Sequence, residues 1–286
     1  MTEAHDDRSL PAAAHSEGTL PSGQYWQSWT VEQPGGVVVL VHGLHEHSGR
    51  YRHVAARLNA AGYAVYALDH PGHGRSPGTR GNIGGMAAAV TGVGLLARLA
   101  ADRHSGVPVF VYGHSMGGLI SLQYLTGTPL QRIRGAVISA PALDAGPVST
   151  VERIVAPLLS KLLPDLGVRT IDADTISRDP AVVRDFRTDP LNHNGKMRAR
   201  TAVEIMRTAE AMPRRLPSLT MPLLVLHGGA DRLMPPAASE LVRNRAGSAD
   251  LTFRIHEGLH HESHNEPEQE QVLDEIVAWL DAHRAG

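Results

Sequence analysis

The pentapeptide Gly113-His114-Ser115-Met116-Gly117 sits between two apolar runs of different character. Before it, Val107-Pro108-Val109-Phe110-Val111-Tyr112 is short and β-branched, as a buried parallel strand should be. After it, Gly118-Leu119-Ile120-Ser121-Leu122-Gln123-Tyr124-Leu125 has the spacing of a helix packed on a sheet. A chain that passes from strand to helix this abruptly must hold its turn residue in a strained backbone conformation. Glycines two before and two after that residue remove the Cβ atoms that would collide. The turn then thrusts the serine hydroxyl out at the carboxyl end of a sheet, above the amino end of a helix. Short G-x-S-x-G matches also arise by chance in a chain with 29 glycines, so the strand-turn-helix setting carries the inference. It marks Ser115 as a nucleophile.

The remaining pattern agrees with a strand-rich core. Buried-strand signatures recur at 37–41, 64–68, 135–139, 222–227 and 251–255, and helical spacing at 51–59, 86–103 and 267–283. Strands alternating with helices predict an α/β fold with a mostly parallel central sheet covered on both faces. The aromatic-rich segment 24–31 reads as an edge strand. From about 143 to 216 no clear strand is visible, only helical patches at 150–163 and 198–211. An insertion between two sheet strands belongs above their carboxyl ends, on the ligand side, and is expected to be a helical cap. The expected organisation is a disordered tail over 1–23, a core over 24–142, the cap over 143–216, and the rest of the core over 217–286.

The 286-residue chain contains no cysteine, which removes a disulfide framework, a thiolate nucleophile and a Cys-based zinc site. A net charge of −2 gives no support for nucleic-acid binding. The first 23 residues lack the basic start and apolar stretch of a secretory signal. No apolar run reaches the ~18 residues of a membrane span. A cytoplasmic protein is expected, with a surface able to touch a membrane peripherally.

A serine hydroxyl needs an adjacent base, and the base an orienting carboxylate. Asp231, in Gly228-Gly229-Ala230-Asp231-Arg232, follows a strand end, whereas Asp189, Asp250 and Asp274 do not lie suitably. For the base, His256-Glu257-Gly258-Leu259-His260-His261-Glu262-Ser263-His264 offers four histidines. His256 still belongs to the strand. Chemistry and spacing leave His260, His261 and His264 open.

The set His42-Gly43-x-x-Glu46-His47-Ser48-x-Arg50-Tyr51, Asp69-His70-x-Gly72-His73-Gly74-x-Ser76, Gly113-His114-Ser115-Met116-Gly117-Gly118 and Ala230-Asp231-Arg232 resembles the monoacylglycerol lipases of the α/β-hydrolase superfamily. Actinobacterial members are especially similar, as are sequences labelled lysophospholipases, and the resemblance runs from about Tyr25 to Leu280. It implies an α/β-hydrolase fold with a cap, no cofactor and no metal. It makes His261 the base, with His260 at a position usually aromatic, where a second imidazole would sit beside the base and compete for Asp231. It implies an oxyanion hole from the backbone N–H groups of Leu44 and Met116. It places Glu46, Arg50 and His264 at the glycerol head group, and Phe186 where the family commonly has tyrosine, without a hydroxyl to donate. Leucines in 155–163 would line an acyl tunnel or rest on a lipid surface.

The function so implied is hydrolysis of monoacylglycerol, a small-molecule lipid ester, to glycerol and fatty acid. A broad carboxylesterase or a lysophospholipase is the alternative, and an inactive binding module the non-enzymatic one. The 17 histidines, with His42-x-x-His45-x-His47 and His260/His264, also raise a metal-binding protein, but the serine chemistry already explains two of those loops.

Overall fold

Val37-Val38-Val39-Leu40-Val41 can be satisfied only where both faces of a strand are covered, and that is where it lies. The structure is a computed structural model that describes residues 14–144 and 150–284. Strand β3 (Gly36–Val41) is buried along its whole length in an eight-stranded sheet. Its neighbours are β4 (Tyr63–Leu68) and β5 (Val109–His114), both parallel to it. Outward from β5 come β6 (Ile133–Ser139), β9 (Leu223–Gly228) and β10 (Leu251–His256), all parallel. Outward from β4, β2 (Tyr25–Thr30) and then β1 (Ala14–Thr19) pair antiparallel.

Period-two alternation divides the core into two layers. Val37, Val39, Val41, Val109 and Val111 face helices α2 (Met86–Arg103) and α3 (Met116–Leu125). Val38, Leu40, Phe110 and Tyr112 face α1 (Arg52–Ala60) and α8 (Gln269–Arg284). Each such aliphatic side chain removed from water stabilises the fold by roughly 1.5–3 kcal/mol. The chain runs from β3 outward to β4 and then returns to β5 on the other side of β3, so the strand order reverses between β3 and β5. In a parallel sheet a crevice opens at the carboxyl ends at such a point. This is the α/β-hydrolase fold.

Between β6 and β9 the chain leaves the sheet. It forms α4 (Thr150–Leu162), β7 (Gly167–Arg169), α5 (Pro180–Thr188), β8 (Met197–Arg198) and α6 (Ala199–Arg215). The insertion meets the core above the carboxyl end of β3, where the His193 amide donates to the His45 carbonyl and His47 lies 2.9 Å from Asp189. Two points differ from the sequence reading. A two-stranded ribbon, β7 with β8, occurs where no strand was expected, because three and two residues are too few for a pattern to register. The end of α6 also joins the main core through Ala209 and Met212, so the cap does not close off cleanly at 216.

The amino-terminal expectation is corrected as well. Residues 14–23 are ordered, forming β1 and a turn closed by the Leu20 and Gly23 amides. Consequently β2 is not the edge strand. β1 is largely exposed and polar, so it is held by its backbone ladder to β2, from Ala14 opposite Thr30 to Thr19 opposite Tyr25, and hydrophobic patterning does not reveal it. Residues 1–13 of the expected tail lie outside the described residues.

Candidate active site

Ser115 has φ 54° and ψ −119°, a conformation non-glycine residues rarely adopt. The glycines around it are required by contact rather than by turn geometry. A Cβ on Gly117 would lie 2.0 Å from the Val41 carbonyl oxygen, and one on Gly113 2.4 Å from Ser121 Oγ. The elbow is thus pressed against the end of β3. Gly117→Ala is expected to lower stability by about 2 kcal/mol or more, the scale of overpacking a filled core. A thermal melt unchanged from wild type would contradict this.

The loop after β3 is fastened on two sides. The Gly43 amide donates to Glu46 Oε1 at 2.6 Å. His42 Nε2 accepts from the His70 amide at 3.0 Å, so its other nitrogen carries the proton and donates to the Gly43 carbonyl at 2.7 Å. A Cβ on Gly43 would approach Ser115 Cβ to 3.3 Å, so Leu44 follows a residue packed against the nucleophile. Met116 is the first residue of α3, where a helix leaves its amides without intrahelical acceptors.

The structure brings Ser115, His261 and Asp231 together. Ser115 Oγ lies 2.8 Å from His261 Nε2, and His261 Nδ1 lies 2.6 Å from Asp231 Oδ2. Asp231 Oδ1 accepts from the Leu233 and Met234 amides at 2.8 and 2.9 Å. Burial opposes ionisation of Asp231, but the His261 charge and hydrogen bonds from His227, His261 and Met234 outweigh it and hold the carboxyl far below its ordinary value. Burial likewise disfavours charged His261, and the Asp231 carboxylate more than offsets that, so its pKa lies above the ordinary 6.5. Such a set can take a proton from the serine and return it to a leaving group. His260 does not compete for Asp231, since it lines a cavity beneath α5 with Arg178, Val183 and Arg187.

Behind the triad lies a buried ionic cluster. Arg50 donates to Glu46 Oε2 at 2.6 Å and, through two nitrogens, to both oxygens of Glu262 at 2.7 Å. Tyr51 donates to Glu46 Oε1 at 2.7 Å. Burial and the nearby Glu262 charge push the Glu46 carboxyl up despite Arg50. For Glu262 burial also pushes upward, but Arg50's charge and paired bonds prevail and bring it down to about 2. Glu262 did not emerge from sequence reasoning; its one signal was direct succession to His261. Phe186 covers the outer face of Arg50, with its ring centroid 5.0 Å from the guanidinium carbon. His264 is fully buried, stacked on Tyr51 and edge-on to His114, and its ring nitrogens have no partner within the protein. Atoms of Glu46, His114 and Glu262 come within 4.8 Å of one another, a spacing that would suit a metal ion. The guanidinium that bridges both carboxylates already supplies the positive charge there.

A strained serine at the switch point of a parallel sheet, joined to a histidine and a carboxylate, defines a serine hydrolase of the α/β-hydrolase fold. Residues 32–268 match the family described as serine aminopeptidase, S33. The monoacylglycerol lipase of Mycolicibacterium smegmatis is 46% identical over 89% of this chain and 91% of its own. The monoglyceride lipase of Homo sapiens is 32% identical over 97% and 92%. A crystal structure of the Paleococcus ferrophilus monoacylglycerol lipase superposes with a TM-score of 0.81 at 33% identity, covering 91% of this chain and 99% of that one. The chain belongs to the monoacylglycerol lipase family.

Proposed function

We propose that this protein cleaves monoacylglycerols to glycerol and free fatty acid through an acyl-enzyme. The observation that carries the reading is the continuous hydrogen-bonded line from Ser115 Oγ through His261 to Asp231. Ser115 Oγ attacks the ester carbonyl as His261 Nε2 takes its proton. The Leu44 and Met116 amides receive the oxyanion. Collapse expels the glycerol oxygen, which leaves with the proton from His261. Water, deprotonated by the same imidazole, then attacks the acyl-serine and releases the fatty acid. Asp231 orients His261 and balances its charge throughout.

An aminopeptidase reading, suggested by the matching family's description, needs a free carboxylate for the substrate's α-amino group. The two buried carboxylates that act on His261, Glu46 and Glu262, are both paired with Arg50, which favours an uncharged ester. Glu46, Arg50 and Phe186, packed on one another, stand as the wall behind the leaving alcohol, while His264 is fully buried and stacked on Tyr51. Because the polar atoms of Glu46 and Arg50 are committed to each other and to Gly43, Tyr51 and Glu262, their part in head-group preference is expected to come from the shape of that wall.

The base must be neutral to act, and its pKa is raised, so kcat/KM should fall on acidification along a limb centred above pH 6.5. A limb below that value would contradict the arrangement. Lipid contact is supported by Val155, Leu158, Leu162, Leu163, Leu166 and Val168, each 42–66% exposed on the cap. No helix among the described residues is long and apolar enough to cross a membrane. Leu158→Glu with Leu162→Glu should reduce hydrolysis of vesicle-borne monoacylglycerol by about tenfold, roughly the loss of two buried leucines' partition energy after partial compensation. Cleavage of a soluble short ester should be unchanged; equal losses on both substrates would overturn the lipid-surface reading.

The deciding experiment compares fatty-acid release from matched monoacyl-, diacyl- and triacylglycerols, a lysophospholipid and a soluble ester. Preference for the monoacylglycerol supports the proposal. Faster cleavage of the soluble ester would make the protein a general carboxylesterase, and of the lysophospholipid a lysophospholipase.

A further inference from the structure

His227 is the penultimate residue of β9, four residues before Asp231, and is fully buried. Its Nε2 lies 2.9 Å from the Met234 carbonyl and 3.1 Å from Asp231 Oδ2, the oxygen that also accepts from His261. Neither neighbour can donate, so Nε2 must carry a proton, shared between the two acceptors. On the far side of the ring, Ser239 Oγ is 2.7 Å from Nδ1, and Ser239 is itself fully buried. With the ring neutral, the hydroxyl donates to Nδ1 and fixes the tautomer. Asp231 thus accepts hydrogen bonds from two amides on Oδ1 and from His261 on Oδ2, with the protonated His227 Nε2 3.1 Å from that same oxygen.

We infer that His227, held in one tautomer by Ser239, is a positioning residue that tunes the Asp231 carboxylate for catalysis. This rests on the reading of Ser115, His261 and Asp231 given above. The Leu233 and Met234 amides on Oδ1 already hold the carboxylate in place. The His227 proton draws electron density from Oδ2, so that in the transition state the shared proton stays on His261.

Three variants test this, with Ser115→Ala as the blank. His227→Phe removes the donor while keeping a ring in the space. Its kcat should fall about tenfold, the scale of one hydrogen bond to a charged group, with KM within about twofold. The acid limb of kcat/KM should move to higher pH, because a carboxylate freed of one donor holds the His261 proton more tightly. Glu46, Glu262 and His114, the other titratable groups that act on or against His261, are left in place. His227→Gln, whose amide can donate to the same oxygen, should recover most of the lost kcat. Ser239→Ala, a milder change that remains informative if His227→Phe does not fold, should shift the limb the same way by less. A merely structural role predicts the opposite shift, since a displaced Asp231 would lower the His261 pKa. Unchanged kcat in folded His227→Phe, a limb that stays or moves down, or no rescue by glutamine would each overturn the inference. Turnover by Ser115→Ala would instead sink the triad reading on which it rests.

Discussion

Ser115→Ala is expected to lower kcat by about 10⁵-fold or more, the scale seen when one member of a serine relay is removed. The loss is large because the relay acts as a unit. Without Oγ there is no acyl-enzyme, and His261 has nothing to deprotonate except water that the site does not align for direct attack. The variant leaves the Leu44 and Met116 amides, proposed to receive the oxyanion, in place, so residual catalysis of roughly 10³-fold over water is expected. Stability should hardly change. Alanine at φ 54° is as strained as serine, so the elbow is neither relieved nor further stressed. The lost hydrogen bond to His261 is worth about 1 kcal/mol at most, because the imidazole retains Asp231. The measurement pairs fatty-acid release with labelling by a serine-directed phosphonate. Wild type should be labelled at Ser115 and the variant not at all. Retention of more than a few per cent of wild-type turnover, or labelling elsewhere with inactivation, would require a different nucleophile.

The site could be read from the chain to unequal depth, for reasons that particular residues make plain. Ser115 and Asp231 were legible because each depends on local structure: an elbow needs its glycines, and an acid follows its strand. The base was not local. His260 and His261 share the same spacing, and only the fold decides which ring reaches Asp231, so a family resemblance was needed to choose. The strands β3, β5 and β9 announced themselves through continuous apolar runs, whereas β1 is a polar strand whose pairing lies in its backbone. Residues 24–31 therefore looked like an edge when they are interior. The ionic cluster was the least legible part. Glu46 and Glu262 are 216 positions apart, and nothing in either neighbourhood says that one guanidinium serves both. His227 left a weak trace, as a polar residue near the end of an apolar strand, but its role needs the turn at Met234 and helix α7 (Ala237–Arg245), which carries Ser239.

Arg50→Met is expected to destabilise the protein by about 3–5 kcal/mol, the range for breaking a buried ion pair from one side. The methionine roughly fills the stem, so the effect is electrostatic. Glu46 and Glu262, both buried, are left facing each other without their shared cation. At roughly 2–4 °C per kcal/mol for a chain somewhat smaller than this one, the thermal midpoint should drop by about 10 °C. The loss should depend on pH in a defined sense. In wild type the Glu262 carboxyl is lowered from its ordinary 4.5 to about 2, so its pairing stabilises fully above pH 4.5 and fades as pH falls toward 2. In the variant desolvation is opposed only by the remaining hydrogen bonds from Gly43, Tyr51 and Asn265 and raises at least one carboxyl above 4.5, a penalty present at neutral pH and relieved on acidification. The gap between wild type and variant should therefore be widest near pH 7 and narrow as pH approaches 4. Activity should fall beyond what stability explains, because Arg50 links Glu46, which anchors the Gly43 amide, to Glu262, which follows His261. Adding Glu262→Gln to Arg50→Met removes the like-charge repulsion and should restore part of the midpoint but little activity, since the link between the two loops stays cut. Parallel melts at pH 4, 5.5 and 7 measure all of this. A gap that is independent of pH would show the loss to be packing, and a midpoint within 2 °C of wild type would show the cluster to be solvated rather than buried.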